Sequence, residues 1–192
     1  SNDLNKLYKI VNKLPRDEIL SQILNKIKST KPIDMHTITI NNKMIIMDPA
    51  YPIKSVNNLG IVLDVLPGEW NVYYQSWITN RPNIVVITHK SLNDPNLLDK
   101  DYHENVDIKY KFSMDDDFNH NQTNVNIPID SAQLTICNFE DYGGNMYITD
   151  SMNTYKFKNG YTVITGYGDD IYDYHVGYVG SDIVQIIIEF IP

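Results

Sequence analysis

The sequence contains very little cysteine. Cys137 is the only cysteine among 192 residues, so no disulfide can form within the chain. Disulfides are typical of secreted proteins, whereas intracellular proteins keep their thiols reduced. The first ten residues, "SNDLNKLYKI", also lack the apolar centre of a signal peptide. We therefore expect an intracellular, cytoplasmic protein or a component of a virus particle, and not a secreted one.

Positive charge and long apolar runs are also scarce. The chain has 16 Lys and Arg against 24 Asp and Glu, a net charge of −8, and its arginines number only 2. Nucleic acids and anionic lipid surfaces both require clustered Lys and Arg, so neither is an expected partner. No stretch approaches the roughly 20 apolar residues that a membrane-spanning helix needs. The expected partner is another protein, cationic or otherwise, or a second copy of the chain.

Residues that would bind a metal are not arranged as ligands. The histidines show no H-x-H or H-x-x-x-H spacing of the kind found in zinc sites. The run Asp115–Asp117, followed by His120, lacks the alternating ligands and closing Glu of a calcium-binding EF-hand loop. Calcium on this acidic loop is an alternative, but three adjacent aspartates are typical of a solvated loop. We expect no metal and no cofactor.

The residues that are present divide the chain into two parts. Residues 2–14 have leucines and a valine at helical spacing, and Pro15 suits the first position of a further helix. Leu20, Ile23, Leu24 and Ile27 would form one apolar face of that helix. We predict one or two short helices within residues 1–31.

Residues 32–192 have the pattern of an antiparallel β domain. About ten stretches rich in β-branched and aromatic residues are separated by turn signals, which predicts a mostly β fold, either a β-sandwich or a strongly bent barrel. Asn41-Asn42 and Asn159-Gly160 are suited to two-residue hairpin turns, and Pro67-Gly68 marks another turn. The final stretch, "DIVQIIIEFI", is almost entirely apolar and predicts a central strand buried on both faces.

Four residues could form a hydrolytic site. Asp130, Ser131, Asp169 and His175 supply the side chains of a Ser–His–Asp triad. However, the sequence has no G-x-S-x-G elbow, and Asp130 and Ser131 are equally suited to hydrogen-bonding a turn. Cys137 with His175 is a further nucleophile–base pair on paper, although a lone cysteine within a strand usually behaves as a small buried hydrophobe.

A group of aromatic residues could instead form a binding surface. Trp70, Tyr73, Tyr74 and Trp77 lie in or beside one predicted strand. By parity, Trp70 and Tyr74 share one face and Tyr73 and Trp77 the other. Aromatic residues at strand spacing are often core residues, but an exposed pair would favour recognition of a peptide, a sugar or another protein.

Several short motifs occur in a fixed order over about residues 43–191. The stretches are "IIMDPAY", "LPGEWNVY", "NIVVITHK", "IPIDSAQLTICNFEDY" and "TGYGDDIYDYHVGY" with the final "IVQIIIEF". Together they resemble a domain family of unknown function, found in bacteria, some eukaryotes and large DNA viruses, whose signatures are D-P, P-G, V-D-S-G and G-x-G-D-G-x-Y. The matching positions are Asp48, Pro49, Pro67, Gly68, Asp130, Ser131, Gly166, Gly168, Asp169 and Tyr172.

Two positions depart from the family pattern. Ala132 stands where the family tends to have glycine after D-S, and Asp170 stands at the last glycine of G-D-G. The resemblance implies a β-rich domain and no particular activity. Our leading hypothesis is therefore a non-enzymatic binding or structural module, with a hydrolase acting through Asp130, Ser131, Asp169 and His175 as the alternative.

Overall fold

The computed structural model describes residues 18–78, 80–92, 108–118 and 123–191. The chain divides into two compact units, Ser1–Lys31 and Pro32–Pro192. In the first unit, residues 18–29 form helix α1. Ile23 on its apolar face is buried, while Ser21, Gln22 and Asn25 on the other side are exposed. The helix predicted for residues 2–14 lies outside the described residues. None of the described helices is long and apolar enough to cross a membrane.

The second unit consists mainly of antiparallel strands. Its strands in chain order are β1 (Ile33–Ile40), β2 (Lys43–Met47), β3 (Gly60–Asp64), β4 (Gly68–Gln75), β5 (Ile84–His89), β6 (Lys109–Phe112), β7 (Ile127–Ile129), β8 (Gln133–Asn138), β9 (Thr154–Phe157), β10 (Gly160–Ile164), β11 (Asp170–Tyr172), β12 (His175–Val179) and β13 (Asp182–Glu189). A one-turn helix, α2 (Val56–Leu59), precedes β3, and short 3₁₀ turns lie at Ile53–Ser55, Lys90–Leu92 and Phe139–Asp141.

The described strands form two main sheets and one small ribbon. The larger sheet has the order β1-β4-β5-β13-β12-β6, the smaller has the order β3-β2-β8-β10-β9, and β11 pairs with β7 alone. This arrangement is a β-sandwich, and the described strands do not close into a barrel. Of the two architectures that the sequence predicted, the sandwich is therefore confirmed.

One hydrophobic core lies between the two sheets. Trp70, Val72 and Tyr74 of β4 contribute to it from the larger sheet, and Ile46 of β2 and Val163 of β10 contribute from the smaller one. The alternation of these residues along each strand is the reason that one face of each sheet is apolar. Burial of one face of each strand therefore accounts for the apolar residues that recur at every second position in the sequence.

The final strand is central, as its composition predicted. β13 lies between β5 and β12, and Ile186, Ile187 and Ile188 are each at most 1% exposed, so both of its faces are buried. Gln185 is a polar exception within this strand. Its partly buried side chain donates to Thr88 at 3.1 Å and accepts from the Tyr110 hydroxyl, so its polar atoms find partners on the same sheet.

The turn signals had different outcomes. The hairpin prediction is confirmed near Asn159-Gly160, but the two turn residues are Lys158 and Asn159, because Phe157 pairs with Gly160. A second hairpin joins β12 and β13, where Val179 pairs with Asp182. The hairpin predicted at Asn41-Asn42 is wrong, because β1 pairs with β4 while β2 pairs with β3 and β8. These two asparagines connect the two sheets instead.

The backbone at this connection bonds to other segments. The backbone N–H of Asn41 donates to Asn138 Oδ1 at 3.0 Å, and the backbone carbonyl of Asn42 accepts from the Val65 N–H at 3.0 Å. Non-local partners therefore take up the groups that a hairpin would have paired with each other.

Side chains connect β1, an edge strand of the larger sheet, to β9, an edge strand of the smaller sheet. Asp34 accepts from the Thr154 hydroxyl and forms an ion pair with Lys156 at 2.5 Å. The His36 ring lies 3.0 Å from the Phe157 carbonyl through Nε2. Asp34 adopts a φ of 58° at an irregularity in the β1–β4 register, which is tolerable for aspartate. Side chains, and not a backbone ladder, therefore bridge this side of the sandwich.

Candidate functional site

The carboxylate of Asp48 organises the loops at one end of the sandwich. Asp48 follows β2 and is fully buried. Its Oδ2 accepts the backbone N–H groups of Asp130 and Ser131, both at 2.8 Å. Its Oδ1 accepts the Ser131 hydroxyl at 2.6 Å and the Ala50 N–H at 2.8 Å. Four donors on one buried carboxylate compensate for the loss of water, so this group acts as a structural clasp between two loops.

Ala132 adopts a backbone conformation that favours glycine. Its φ is 57°, in the left-handed region that glycine occupies without strain. Its carbonyl accepts from the Thr165 N–H at 3.0 Å, which links the loop after β7 to the loop after β10. Asp170, the other position singled out beside it in the sequence, lies in β11 and has no positive φ.

The turn from Thr165 to Gly168 is tightly held. The Gly168 N–H donates to the Thr165 carbonyl at 2.8 Å, and the hydroxyls of Thr165 and Tyr172 both donate to the Gly168 carbonyl at 2.7 Å. Gly168 has a φ of 103°. A Cβ on Gly166 would lie 1.9 Å from the Pro82 carbonyl oxygen. Both glycines are therefore required, one by its backbone conformation and the other by the close approach of another segment.

The Tyr51 hydroxyl feels the charges of three aspartates that belong to three different loops. Burial, followed by the charges of Asp130, Asp48 and Asp169, raises the pKa of Tyr51. These three carboxylates belong to the loops after β2, after β7 and before β11. Beside them, the Tyr142 hydroxyl shares its single proton between two backbone carbonyl oxygens, that of Tyr51 at 2.7 Å and that of Asp48 at 3.0 Å. The D-P, D-S and G-x-G-D motifs are thus neighbours in space.

The outer side of this loop end carries negative charge and exposed apolar groups. Asp130, Asp169 and Asp170 are exposed. Tyr167 is 65% exposed and Ile171 is 59% exposed. Asp170 pairs with Ile129 in the β11–β7 ribbon, so Asp169 and Asp130 are the next residues along the two strands. We call the surface formed by Asp130, Tyr167, Asp169, Asp170 and Ile171 the loop-end surface.

Ser131, one of the four hydrolytic candidates, has a carboxylate partner. Its hydroxyl donates to Asp48, as described above. Within the described part of the chain, no hydrogen bond joins Ser131 to His175. A serine hydroxyl that donates a hydrogen bond to a buried carboxylate stabilises a turn, which is the alternative to catalysis that the sequence left open.

His175, another candidate, lies on β12 of the larger sheet. Its ring packs against the Phe112 ring with centroids 4.7 Å apart. Burial lowers the pKa of His175 to about 4, with the charge of Asp115 opposing that shift. The described residues contain no hydrogen bond from His175 to Asp130 or Asp169. The structure therefore brings Asp130, Ser131 and Asp169 together and places His175 among other neighbours.

Cys137 lies in a different sheet from His175. It belongs to β8 and is fully buried with Ile45 and Met47 on the outer side of the smaller sheet. Burial, with the charge of Asp141, raises its thiol pKa to about 12. A thiol of this kind is a poor nucleophile, since the thiolate is the reactive form.

The four aromatic residues do not form an exposed platform. Trp70 is fully buried, and Tyr73 and Tyr74 are at most 8% exposed; Trp77 is half-buried. Trp70 and Tyr74 face the core, as parity indicates, but Tyr73 on the opposite face is buried as well. Trp70 uses its indole N–H to donate to the Leu66 carbonyl at 3.0 Å. The indole N–H, the polar group of this side chain, is therefore hydrogen-bonded inside the protein.

Metal ligands are not gathered in the part of the chain that the structure describes. No group of three or more His, Cys, Asp or Glu side chains there is placed to hold a metal ion. Asp115–Asp117 lie within this part, whereas His120 lies outside the described residues.

Similarity to known proteins adds no assignment. No protein-family model matches this chain, and no curated protein or solved structure is significantly similar to it. The family resemblance in the sequence stays a prediction. Tyr51, Tyr142 and Tyr167 lie at the loop end, and the sequence did not single them out, although Tyr51 closely follows the D-P motif in "DPAY".

Proposed function

We propose that the protein is a binding module that recognises a protein partner through the loop-end surface, and that this surface itself performs no catalysis. The observation that carries this proposal is the exposure of Tyr167 and Ile171, 65% and 59%, beside three exposed carboxylates. Exposed aromatic and aliphatic side chains on ordered loops are typical of recognition surfaces. The chemistry of the surface specifies a segment with Lys or Arg next to an apolar side chain.

The rigidity of the scaffold supports this proposal. The loop that carries Asp130 is held by the Asp48 carboxylate, and the turn that carries Tyr167 is held by the hydroxyls of Thr165 and Tyr172. A surface that is ordered before binding loses less conformational entropy when the partner arrives. The three carboxylates would attract a basic partner and favour its association rate.

The same contacts favour binding over the hydrolase alternative at this end of the sandwich. Ser131 donates to a carboxylate, and the imidazole of His175 packs against Phe112. We further propose that recognition takes place inside a cell or within a virus particle, because the single cysteine is a free, buried thiol. Self-association is the competing form of the proposal, and it predicts a dimer in place of a heterologous complex.

Defined peptides test the proposal. A fluorescent peptide with alternating Lys and Leu, a Lys/Ser peptide and a Glu/Leu peptide would be titrated with the full-length protein by fluorescence anisotropy. We expect measurable binding of the Lys/Leu peptide and no measurable binding of the other two peptides. Sedimentation of the unliganded protein would detect self-association.

Two surface variants and one matched control make the test specific. The charge variant is Asp130→Asn/Asp169→Asn/Asp170→Asn, the apolar variant is Tyr167→Ala/Ile171→Ala, and the control is Asp117→Asn/Glu140→Gln/Asp182→Asn, which removes the same charge from exposed positions elsewhere. Each surface variant should weaken binding at least tenfold, about 1.4 kcal/mol, and the control should not. Equal losses in the charge variant and the control would indicate attraction to net charge alone and would contradict the proposal.

A further inference from the structure

His89 and Ser91 form a close pair at the end of β5, away from the residues of the loop-end surface. The Ser91 Oγ lies 2.6 Å from His89 Nδ1, and the Ser91 N–H donates to the same nitrogen at 3.2 Å. On the other side of the ring, Nε2 lies 2.9 Å from the Pro67 carbonyl oxygen. A serine, an imidazole and a third group that orients the imidazole are therefore in line.

The carbonyl partner decides which nitrogen carries the proton. A carbonyl oxygen only accepts hydrogen bonds, so His89 Nε2 must be the N–H that donates to Pro67. In the neutral ring, the lone pair of Nδ1 then faces Ser91, where it accepts from the hydroxyl at 2.6 Å and from the more distant backbone N–H at 3.2 Å. This is the protonation state that a general base needs in order to take a proton from a serine.

The ring is held in place, while the serine beside it is only half-buried. His89 is 8% exposed and packs edge-on against Trp70, with ring centroids 5.4 Å apart and an interplanar angle of 83°. The neighbouring Lys90 forms an ion pair with Glu69 at 3.0 Å, which restrains the same segment. Ser91 is more exposed than its histidine partner. A buried, oriented base within hydrogen-bond distance of a half-buried serine matches the geometric signature of an activated nucleophile.

We propose that Ser91 is a nucleophile activated by His89 and that it accepts acyl groups from carboxylic esters. Ser91 Oγ attacks the ester carbonyl carbon while its proton passes to His89 Nδ1. The bond from that carbon to the leaving oxygen then breaks, and His89 returns the proton to the departing alcohol. Water hydrolyses the acyl-serine by the same route, with His89 taking a proton from water and Ser91 regaining one as the carboxylic acid leaves. The orienting group is a neutral carbonyl and not a carboxylate, so we expect slow turnover.

Covalent labelling of the full-length protein tests the proposal. An alkyl fluorophosphonate should add once, at Ser91, with loss of fluoride, and intact-mass and peptide mass spectrometry would locate the adduct. Ser91→Ala should abolish labelling. His89→Gln should slow it at least about a hundredfold, the usual contribution of a general base. Ser55→Ala is the matched control, because Ser55 is also a half-buried serine in a 3₁₀ turn but makes no side-chain cap hydrogen bond.

A gain-of-reactivity variant keeps the test valid if His89→Gln does not fold. Ser91→Cys should be alkylated by iodoacetamide at least tenfold faster than Ser55→Cys, and the native Cys137 does not interfere because it is fully buried. Hydrolysis of p-nitrophenyl acetate that is lost in Ser91→Ala would show turnover. An unlabelled wild-type protein together with equal alkylation of the two cysteine variants would overturn the proposal, and so would labelling of Ser91 at the same rate in His89→Gln.

Discussion

Ser131 donates its hydroxyl proton to Asp48 across 2.6 Å, although 83 residues separate the two in the chain. This bond and the two backbone N–H groups on Oδ2 join the end of β2 to the start of β8. The bond also explains how the D-P and D-S motifs, which are far apart in the sequence, can depend on each other in the structure. The geometry at the loop end is set by a buried charge and its donors, and the exposed residues around it are positioned as a result.

Replacing the Asp48 carboxylate with an amide should destabilise the protein strongly. In Asp48→Asn, an NH₂ group would face backbone N–H donors, so we expect a loss of about 3 kcal/mol in the free energy of unfolding, measured by urea denaturation. Asp64→Asn is the control, since the Asp64–Lys43 ion pair is half-exposed and should be worth less than about 1 kcal/mol. Similar losses in the two variants would argue against the clasp.

The two glycines of the turn from Thr165 to Gly168 should respond differently to alanine. Gly166→Ala places a Cβ against the Pro82 carbonyl oxygen, and we expect a loss of about 3 kcal/mol or more in unfolding free energy. Gly168→Ala meets open space and adds only backbone strain at a φ of 103°, about 1–2 kcal/mol. Thermal and urea unfolding of both variants would measure the difference. A reversed order would show that the close approach to Pro82 is relaxed in solution.

Stability should fall as the solution is acidified through the range in which His175 titrates. Burial lowers the pKa of His175 from 6.5 to about 4, so between these values the unfolded chain binds a proton that the folded protein does not. The stabilisation is complete above pH 6.5 and decreases towards pH 4, by up to about 3 kcal/mol at about 1.4 kcal/mol per pKa unit.

The His175→Gln variant isolates this effect. The difference in unfolding free energy between wild type and variant should shrink or change sign from pH 7 to pH 4.5, while other groups titrate in both proteins alike. An unchanged difference across this range would mean that the imidazole is not desolvated.

The thiol of Cys137 should be unreactive in the folded protein. Burial raises its pKa to about 12, so almost no thiolate exists at neutral pH and reagents cannot reach the sulfur. Ellman's reagent should therefore react with one thiol per chain only after unfolding in guanidinium. Ser55→Cys provides a half-buried reference thiol in the same protein, and rapid reaction of wild-type Cys137 under native conditions would contradict the assigned burial.

Local sequence patterns predicted the strands and the class of fold well. The alternation of Trp70, Val72 and Tyr74, and the continuous apolar run of β13, follow directly from which faces of each strand are buried. The hairpin signal at Asn159-Gly160 was also reliable to within one residue, because only two residues separate the two strands that it joins. Such features depend on neighbours in the chain.

Pairing between distant segments could not be read in the same way. Asn41-Asn42 has the chemistry of a hairpin turn, but β1 and β2 belong to different sheets because each finds a better partner far along the chain. Likewise, the stretch from Ile171 to Tyr178 resembles one strand, yet the structure divides it between the β11–β7 ribbon and β12 of the larger sheet. The exposure of the aromatic residues could not be predicted from parity alone, since Tyr73 lies on the face opposite the core and is nevertheless buried.

The sequence by itself determined a mostly β protein with a net charge of −8, a lone cysteine and turns built by glycine and asparagine. These properties depend on composition and on periodicity within single strands. Only the tertiary structure decided that Asp130, Ser131 and Asp169 gather beside Asp48 and Tyr51, that His175 does not join them, and that His89 meets Ser91 with its tautomer set by Pro67. Hydrogen-bond geometry across dozens of residues depends on how the sheets pack, and no local pattern encodes that distance.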